Sequence, residues 1–267
     1  MTLFRSVFLT VIVLPILSAS FDNIRVQARA ASVLRLAKAI EKSGIFSTTL
    51  VDATLRDAAR SGLIQTCQDE VSRSIATIHA YLLNQQLEES LKPINSVEFG
   101  KGALGAVDHR LTCSPADGNA WLMRAQALQF QKPNSPEVID SLAKSYRYAP
   151  AEFWVMEARF KFALAYYDFI ETKLGQEFSR DLNVLVQYAP IETVAENYLH
   201  SNIKVRDMIY MDLVKLPKRR GDMVAQATDR LGVTLRGNGN CSIGNTPFLD
   251  RDGSAMHRRV ELEICGE

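Results

Sequence analysis

Three blocks of this sequence end in the same way, and the repetition constrains the fold more than any other feature. Each block places apolar residues at fixed offsets before a proline; the blocks are Val107-Leu111-Cys113-Pro115, Leu142-Tyr146-Tyr148-Pro150 and Leu182-Val186-Tyr188-Pro190. The prolines are therefore 35 and 40 residues apart. Residues four positions apart share one face of an α-helix, and proline cannot continue a helix. The pattern predicts three helices that end before these prolines.

A new helix start follows each proline. The first two starts are displaced by 33 residues and carry Trp121, Met123 and Ala125, and Trp154, Met156 and Ala158; the third, with Val194, Ala195 and Tyr198, is a weaker copy. The repeated unit is thus a pair of helices, in which a large aromatic residue is followed one turn later by a small one. A single pair cannot bury both of its apolar faces, whereas stacked neighbours can.

These residues resemble the tetratricopeptide repeat family. The family's Trp-x-x-Leu-Gly-x-x-Tyr start is matched loosely by Trp121, Arg124, Ala125 and Leu128, and its terminal proline by the three prolines above. The resemblance covers about residues 96–215 and implies stacked antiparallel helix pairs with a concave surface that binds other proteins. Two features depart from the family: the segment 132–136 in the turn of the first full unit, and a second unit that is about eight residues too long.

The remainder of the chain predicts an all-α fold with one exception. Helical patterns cover residues 28–43, a segment from Thr48 or Thr49 to Gly62, and a segment from Asp69 to a stop before Pro93. Near the carboxyl end, residues 260–264 alternate apolar with acidic side chains, which predicts a half-exposed strand. We therefore expect an α-solenoid with N-terminal helices in 21–95, repeats in 96–231 and a small β-hairpin in 232–267.

The first 20 residues predict export from the cytoplasm. Arg5 precedes an uncharged, largely apolar run over residues 6–21. As a helix, this run would reach about 24 Å, which is less than the roughly 30 Å of a bilayer's hydrocarbon core. Ser18 and Ser20 provide small side chains for cleavage after Ser20. We predict a signal peptide in 1–20, with an uncleaved hydrophobic helix that anchors the chain to the inner membrane as the alternative.

The four cysteines fit an oxidising compartment. Each predicted pair, Cys67 with Cys113 and Cys241 with Cys265, brackets what looks like one structural unit. Closing loops of 46 and 24 residues would contribute about 4 and 3.5 kcal/mol on the chain-entropy model. The alternative is four buried thiols. No Cys-x-x-Cys is present and the four histidines are far apart in sequence, so we expect no metal and no cofactor.

Composition limits the classes of partner. The chain has 31 basic and 30 acidic residues, so it lacks the long-range positive field that attracts nucleic acid. A basic cluster around Pro217 is expected to be solvated rather than to bind lipid or glycan; it contains Lys215, Lys218, Arg219 and Arg220. Four aromatic residues at helical spacing are expected in the core rather than in a sugar-binding groove; they are Tyr166, Tyr167, Phe169 and Phe178.

The expected activity is protein binding without catalysis. The first helices of the repeats would line the concave surface, and their polar residues are the candidate partner contacts: Arg124, Gln126, Glu157 and Arg159. We expect a periplasmic scaffold or adaptor of the bacterial cell envelope that binds other envelope proteins, in surface polysaccharide or secretion assembly.

Two alternatives from other classes are open. The first is an enzyme that acts on cell-wall glycan, for which Glu157 and Asp168 are the nearest carboxylate pair. On one continuous helix they would lie about 16 Å apart, whereas glycosidases place their carboxylates about 5–9.5 Å apart. The second is a carrier that holds a small molecule or a lipid in an apolar groove.

Overall fold

The computed structural model describes residues 24, 26–42, 46–89, 96–237, 248–249 and 255–256. This part of the chain is predominantly helical, which confirms the all-α prediction. Three predicted features lie outside the described residues: the export segment 1–20, the pairing of Cys241 with Cys265, and the strand at 260–264.

Eleven helices form within the described residues. They are α1 (26–41), α2 (Thr48–Arg60), α3 (Asp69–Glu89), α4 (Ser96–Cys113), α5 (Gly118–Gln131), α6 (Pro136–Tyr148), α7 (Phe153–Ala165), α8 (Tyr167–Tyr188), α9 (Ile191–His200), α10 (Ile203–Val214) and α11 (Lys218–Gly237). A single 3₁₀ turn, Leu63–Gln65, follows α2. Strands β1 (Phe248–Leu249) and β2 (Ala255–Met256) pair in antiparallel register, with Phe248 opposite Met256.

The helix ends follow local sequence signals. As predicted, α4, α6 and α8 each end two residues before a block proline, because the backbone ahead of proline disfavours the α conformation. At the start of α5, the Asp117 carboxylate accepts a hydrogen bond from the Ala120 amide at 3.0 Å. After α2, Gly62 adopts a left-handed φ of 74°, which a residue with a Cβ atom rarely adopts.

The chain divides into two compact units, and the first is Met1–Pro150. Its helices α3 to α6 pack in chain order: α3 on α4, α4 on α5 and α5 on α6. One apolar core joins α1, α2 and α3 through side chains that include Val33, Val51 and Ile78. The start of α5 lies so close to the end of α6 that a Cβ atom at Gly118 would be 2.7 Å from the Ala149 backbone nitrogen.

A buried arginine joins three elements of this first unit. Arg110 on α4 is 3% exposed, and its Nη2 atom lies 2.6 Å from Asp69 Oδ1 and 2.9 Å from Asp117 Oδ2. Its Nη1 atom donates to Ser72 Oγ at 2.9 Å. The hydrogen bond from Arg110 lowers the pKa of Asp69 below its ordinary value. The guanidinium therefore ties the start of α3 to the cap of α5.

The second unit, Ala151–Glu267, packs its helices in a different order. Helix α7 packs on α8, α8 on α10, and α9 on α11. The Phe178 ring stacks on Phe160 with centroids 5.0 Å apart and contacts Tyr167 at 4.8 Å, so Phe178 and Tyr167 belong to the core as expected. Helix α8 has 22 residues and loses helical geometry at Leu174, where φ is −131° and ψ is 17°.

His79 makes the first unit sensitive to acid. The residue lies on α3 and packs against α4 at Gly102, where a Cβ atom would be 3.2 Å from the imidazole. Burial lowers the pKa of His79 from 6.5 to about 4. Below pH 6.5 the unfolded chain therefore binds a proton at this residue that the folded chain rejects until about pH 4, so the folded state loses stability across this range.

Between pH 7 and pH 4, we expect the free energy of unfolding of wild-type protein to fall by about 3 kcal/mol more than that of a His79→Gln variant. This value follows from about 1.36 kcal/mol per pKa unit. Urea unfolding at a series of pH values measures this difference. His200→Gln is the matched control, because it makes the same replacement at an exposed position on α9. Identical pH dependence in wild type and His79→Gln would contradict the assignment.

Candidate functional site

An open groove of about 670 Å³ lies in the first unit, where α4, α5 and α6 pack in succession. All three helices contribute lining side chains: Asp108, Leu111, Thr112, Trp121, Arg124, Pro136, Glu137, Asp140 and Lys144. The groove combines charges of both signs with Trp121 and Arg124, two residue types that are enriched at protein interfaces.

Arg124, one of the predicted contact residues, lies in this groove and connects the three helices. Its Nε atom is 2.8 Å from Asp108 Oδ1 on α4, and its Nη1 atom donates to Ser141 Oγ on α6 at 2.8 Å. Both bonds hold the guanidinium in place, so Arg124 orders the groove as well as lining it.

Trp121 is the aromatic residue of the groove, and its ring is fixed on several sides. The indole Nε1 donates to the Pro115 carbonyl at 2.8 Å, and the ring packs against a buried cluster that includes Leu111. The Lys144 ammonium lies 4.3 Å from the ring centroid, within the range of a cation–π interaction. A ring fixed in this way loses little conformational entropy when a partner binds.

The accessible charge of the groove is negative. The side chains of Asp108, Glu137 and Asp140 are 48%, 50% and 59% exposed, whereas those of Arg124 and Lys144 are 23% and 37% exposed. A hydrogen bond with its own backbone lowers the pKa of Glu137 below its ordinary value, so this carboxylate is ionised at neutral pH. In this groove the carboxylate side chains are therefore more exposed than the cationic ones.

The other three predicted contact residues are not part of this groove. Gln126 lies half-buried on α5, and Glu157 lies half-buried on α7, where its carboxylate is 3.1 Å from Lys161 Nζ. Arg159 is fully buried in the second unit, so it is not the surface residue that the sequence analysis expected. It follows buried Val155 by four residues, and this spacing places both on the core face of α7.

The carboxylate pair of the enzyme hypothesis is divided between two helices. The chain leaves helical geometry at Tyr166, with φ −124° and ψ 28°, so Glu157 belongs to α7 and Asp168 to α8. The assumption of one continuous helix is therefore wrong, and the separation derived from it does not apply. Asp168 is exposed in the first turn of α8, where an acidic residue stabilises the helix dipole.

Two members of the basic cluster have structural partners. Arg220 donates to the carbonyls of Val186 at 2.7 Å and Ala189 at 2.6 Å, at the end of α8. Lys215 Nζ lies 2.8 Å from Asp212 Oδ1. These contacts stabilise helix ends, so Arg220, which is half-buried at the start of α11, is not the solvated residue that was expected from the sequence.

The cysteine pair predicted for the first unit is confirmed. A disulfide bond joins Cys67 to Cys113, with Cα atoms 5.3 Å apart. His109 lies one turn before Cys113 on α4, and its Nε2 atom is 3.7 Å from Cys113 Sγ. This grouping was not predicted from the sequence, although the four-residue spacing of His109 and Cys113 was a signal that could have revealed it.

Comparison with protein-family models, with curated proteins and with solved structures finds no match to this chain. The packed helices are compatible with a helical repeat. In the described part of the chain, no helix combines the length and the hydropathy needed to span a membrane.

Proposed function

We propose that this chain is a non-catalytic helical-repeat scaffold or adaptor that binds a partner protein through the groove between α4, α5 and α6. The observation that carries the proposal is the fixed Trp121 ring beside three exposed carboxylates. The paired packing of α5 with α6, and of α7 with α8, supports a tetratricopeptide-like arrangement of the two full repeats.

The charges of the groove favour a partner segment that carries lysine or arginine. Each of these carboxylates has one basic neighbour, Arg124 for Asp108, Lys132 for Glu137 and Lys144 for Asp140, so a cationic side chain of the partner would share carboxylates that remain about half exposed. Its aliphatic portion can pack on the edge of the Trp121 ring. Aromatic anchors surrounded by charged rims are typical of the residues that dominate binding energy at protein interfaces.

We further propose that the protein works in the periplasm, as part of the bacterial cell envelope. The apolar run that follows Arg5 supports export, and the bond between Cys67 and Cys113 is of the kind that persists in oxidising compartments. The partner is accordingly another envelope protein, with surface polysaccharide or secretion assembly as its setting.

Charge reversal in the groove tests the proposal. Tagged Glu137→Lys protein should recover its partner from detergent-solubilised envelope at least tenfold less efficiently than wild type, because the new ammonium repels a cationic segment. Glu192→Lys is the matched control. Glu137 and Glu192 both lie in the first turn of a helix, are 50% and 63% exposed, and are 3.9 Å and 3.7 Å from a basic side chain.

Quantitative mass spectrometry of the captured proteins provides the readout, and circular dichroism checks that both variants fold. Equal recovery by Glu137→Lys and Glu192→Lys would show that the groove is not the contact surface. Recovery of no protein above an untagged control, with wild-type bait, would count against the adaptor function itself.

A further inference from the structure

Three side chains of the first unit form a group of potential metal ligands. Cys67 precedes α3, and His109 and Cys113 lie one turn apart on α4. Their ligand atoms, two sulfurs and one imidazole nitrogen, all lie within 4.8 Å of one another. Thiolate and imidazole are the ligands that Zn²⁺ prefers in proteins.

The spacing of these atoms matches a tetrahedral zinc site once the disulfide is open. With Zn–S bonds of about 2.3 Å and Zn–N bonds of about 2.0 Å, tetrahedral geometry places nitrogen and sulfur about 3.5 Å apart and two sulfurs about 3.8 Å apart. His109 Nε2 is already 3.7 Å from Cys113 Sγ. In the disulfide neither sulfur is a thiolate, which is the form of cysteine that binds metals, so the oxidised protein does not bind zinc here.

We propose that reduction of the disulfide between Cys67 and Cys113 creates a Zn²⁺ site with Cys67, Cys113 and His109 as ligands and water in the fourth position. Metal binding at this site would then depend on the redox state of the protein. The proposal is independent of the groove and of the partner that binds there.

The chemistry requires a dithiol reductant. Cys67 is exposed, so a dithiol thiolate can attack its sulfur; the S–S bond breaks and the electron pair leaves with Cys113 Sγ. The second thiol of the reductant then displaces Cys67, which leaves the reductant oxidised to a disulfide and the protein with two thiols. Zn²⁺ replaces the two thiol protons, which are released to solvent.

His109 exchanges one partner for another in this transition. In the oxidised protein its Nε2 atom donates to the Thr66 carbonyl at 3.2 Å. To bind zinc, Nε2 must present its lone pair, so the proton of the neutral imidazole moves to Nδ1. A glutamine at this position retains an amide that can donate to Thr66 but supplies no strong zinc ligand, which makes His109→Gln the informative variant.

The test uses the full chain with Cys241→Ser and Cys265→Ser, so that Cys67 and Cys113 are the remaining cysteines. After reduction with a dithiol and removal of the reductant, equilibrium dialysis against Zn²⁺ should show one bound ion per chain, and none for the oxidised protein. Co²⁺ in place of Zn²⁺ should produce thiolate-to-metal absorption in the reduced protein. His109→Gln should bind Zn²⁺ at least tenfold more weakly, whereas His200→Gln should bind it unchanged.

Two results would overturn the proposal. One is zinc binding by the reduced protein that is no stronger than that of a variant in which Cys67 and Cys113 are also serine. The other is equal affinity in His109→Gln and His200→Gln. Where reduction unfolds the first unit, Zn²⁺ must restore its helical circular dichroism, and failure to do so also contradicts the site.

Discussion

Asp181→Ala is expected to lower the free energy of unfolding of the second unit by about 3–5 kcal/mol. The side chains of Asp181 and Arg159 are both 0% exposed, and the carboxylate accepts from Arg159 Nε at 2.8 Å. Burial raises the pKa of Asp181 to about 6, because loss of hydration outweighs the attraction of Arg159. Without the carboxylate, the buried guanidinium of Arg159 would lose its ion pair with Asp181.

Urea unfolding measures this loss of stability. A second variant, in which two apolar residues replace both charged residues, tests whether the loss comes from the broken ion pair or from poorer packing. The double variant Arg159→Met, Asp181→Leu should recover most of the lost stability, because similar volumes replace both charges at once. Glu157→Ala, on the same helix as Arg159, is the control, since it removes a surface ion pair with Lys161 that contributes less than about 1 kcal/mol. A loss of under 1 kcal/mol for Asp181→Ala would contradict the prediction.

Removal of the disulfide in the first unit should have an effect of similar size. The double variant Cys67→Ser, Cys113→Ser is expected to be about 4 kcal/mol less stable than oxidised wild type, because the bond closes a loop of 46 residues in the unfolded chain. Denaturant unfolding of the two proteins under oxidising conditions gives this difference. It is a large part of the 5–15 kcal/mol that stabilises a typical domain.

The control repeats both unfolding curves with a dithiol and a metal chelator present. Reduced wild type and the serine variant should then have the same stability, because neither chain contains the cross-link. A difference that persists after reduction would mean that the serine side chains, rather than the missing bond, cause the loss. Equal stability under oxidising conditions would mean that the bond contributes nothing.

The parts of the fold that were predictable depend on short stretches of sequence. The ends of α4, α6 and α8 follow from prolines two residues further on, and the end of α2 follows from Gly62. The order of packing in the second unit was not predictable. It depends on contacts between helices that are distant in sequence, such as α8 with α10.

The candidate site was predicted only in part, because its lining also depends on how neighbouring helices pack. Arg124 was expected on a binding surface because it lies on the first helix of a repeat, and it lines the groove. Glu137, Asp140 and Lys144 come from the second helix of that pair and were not expected there. Trp121 and Trp154 occupy equivalent places in the sequence repeat, yet Trp121 is half-buried beside the groove and Trp154 is 57% exposed.

Arg110 makes the first unit cooperative in a way that independent repeats are not. In an idealised repeat array, each module contributes its own stability and adjoining modules can be removed one at a time. Here the guanidinium of α4 is fully paired only when Asp69 from α3 and Asp117 from the cap of α5 are both present. A fragment that begins at residue 96 would keep Asp117 and lose Asp69, so any fragment with an intact Arg110 network must include both residues 69 and 117.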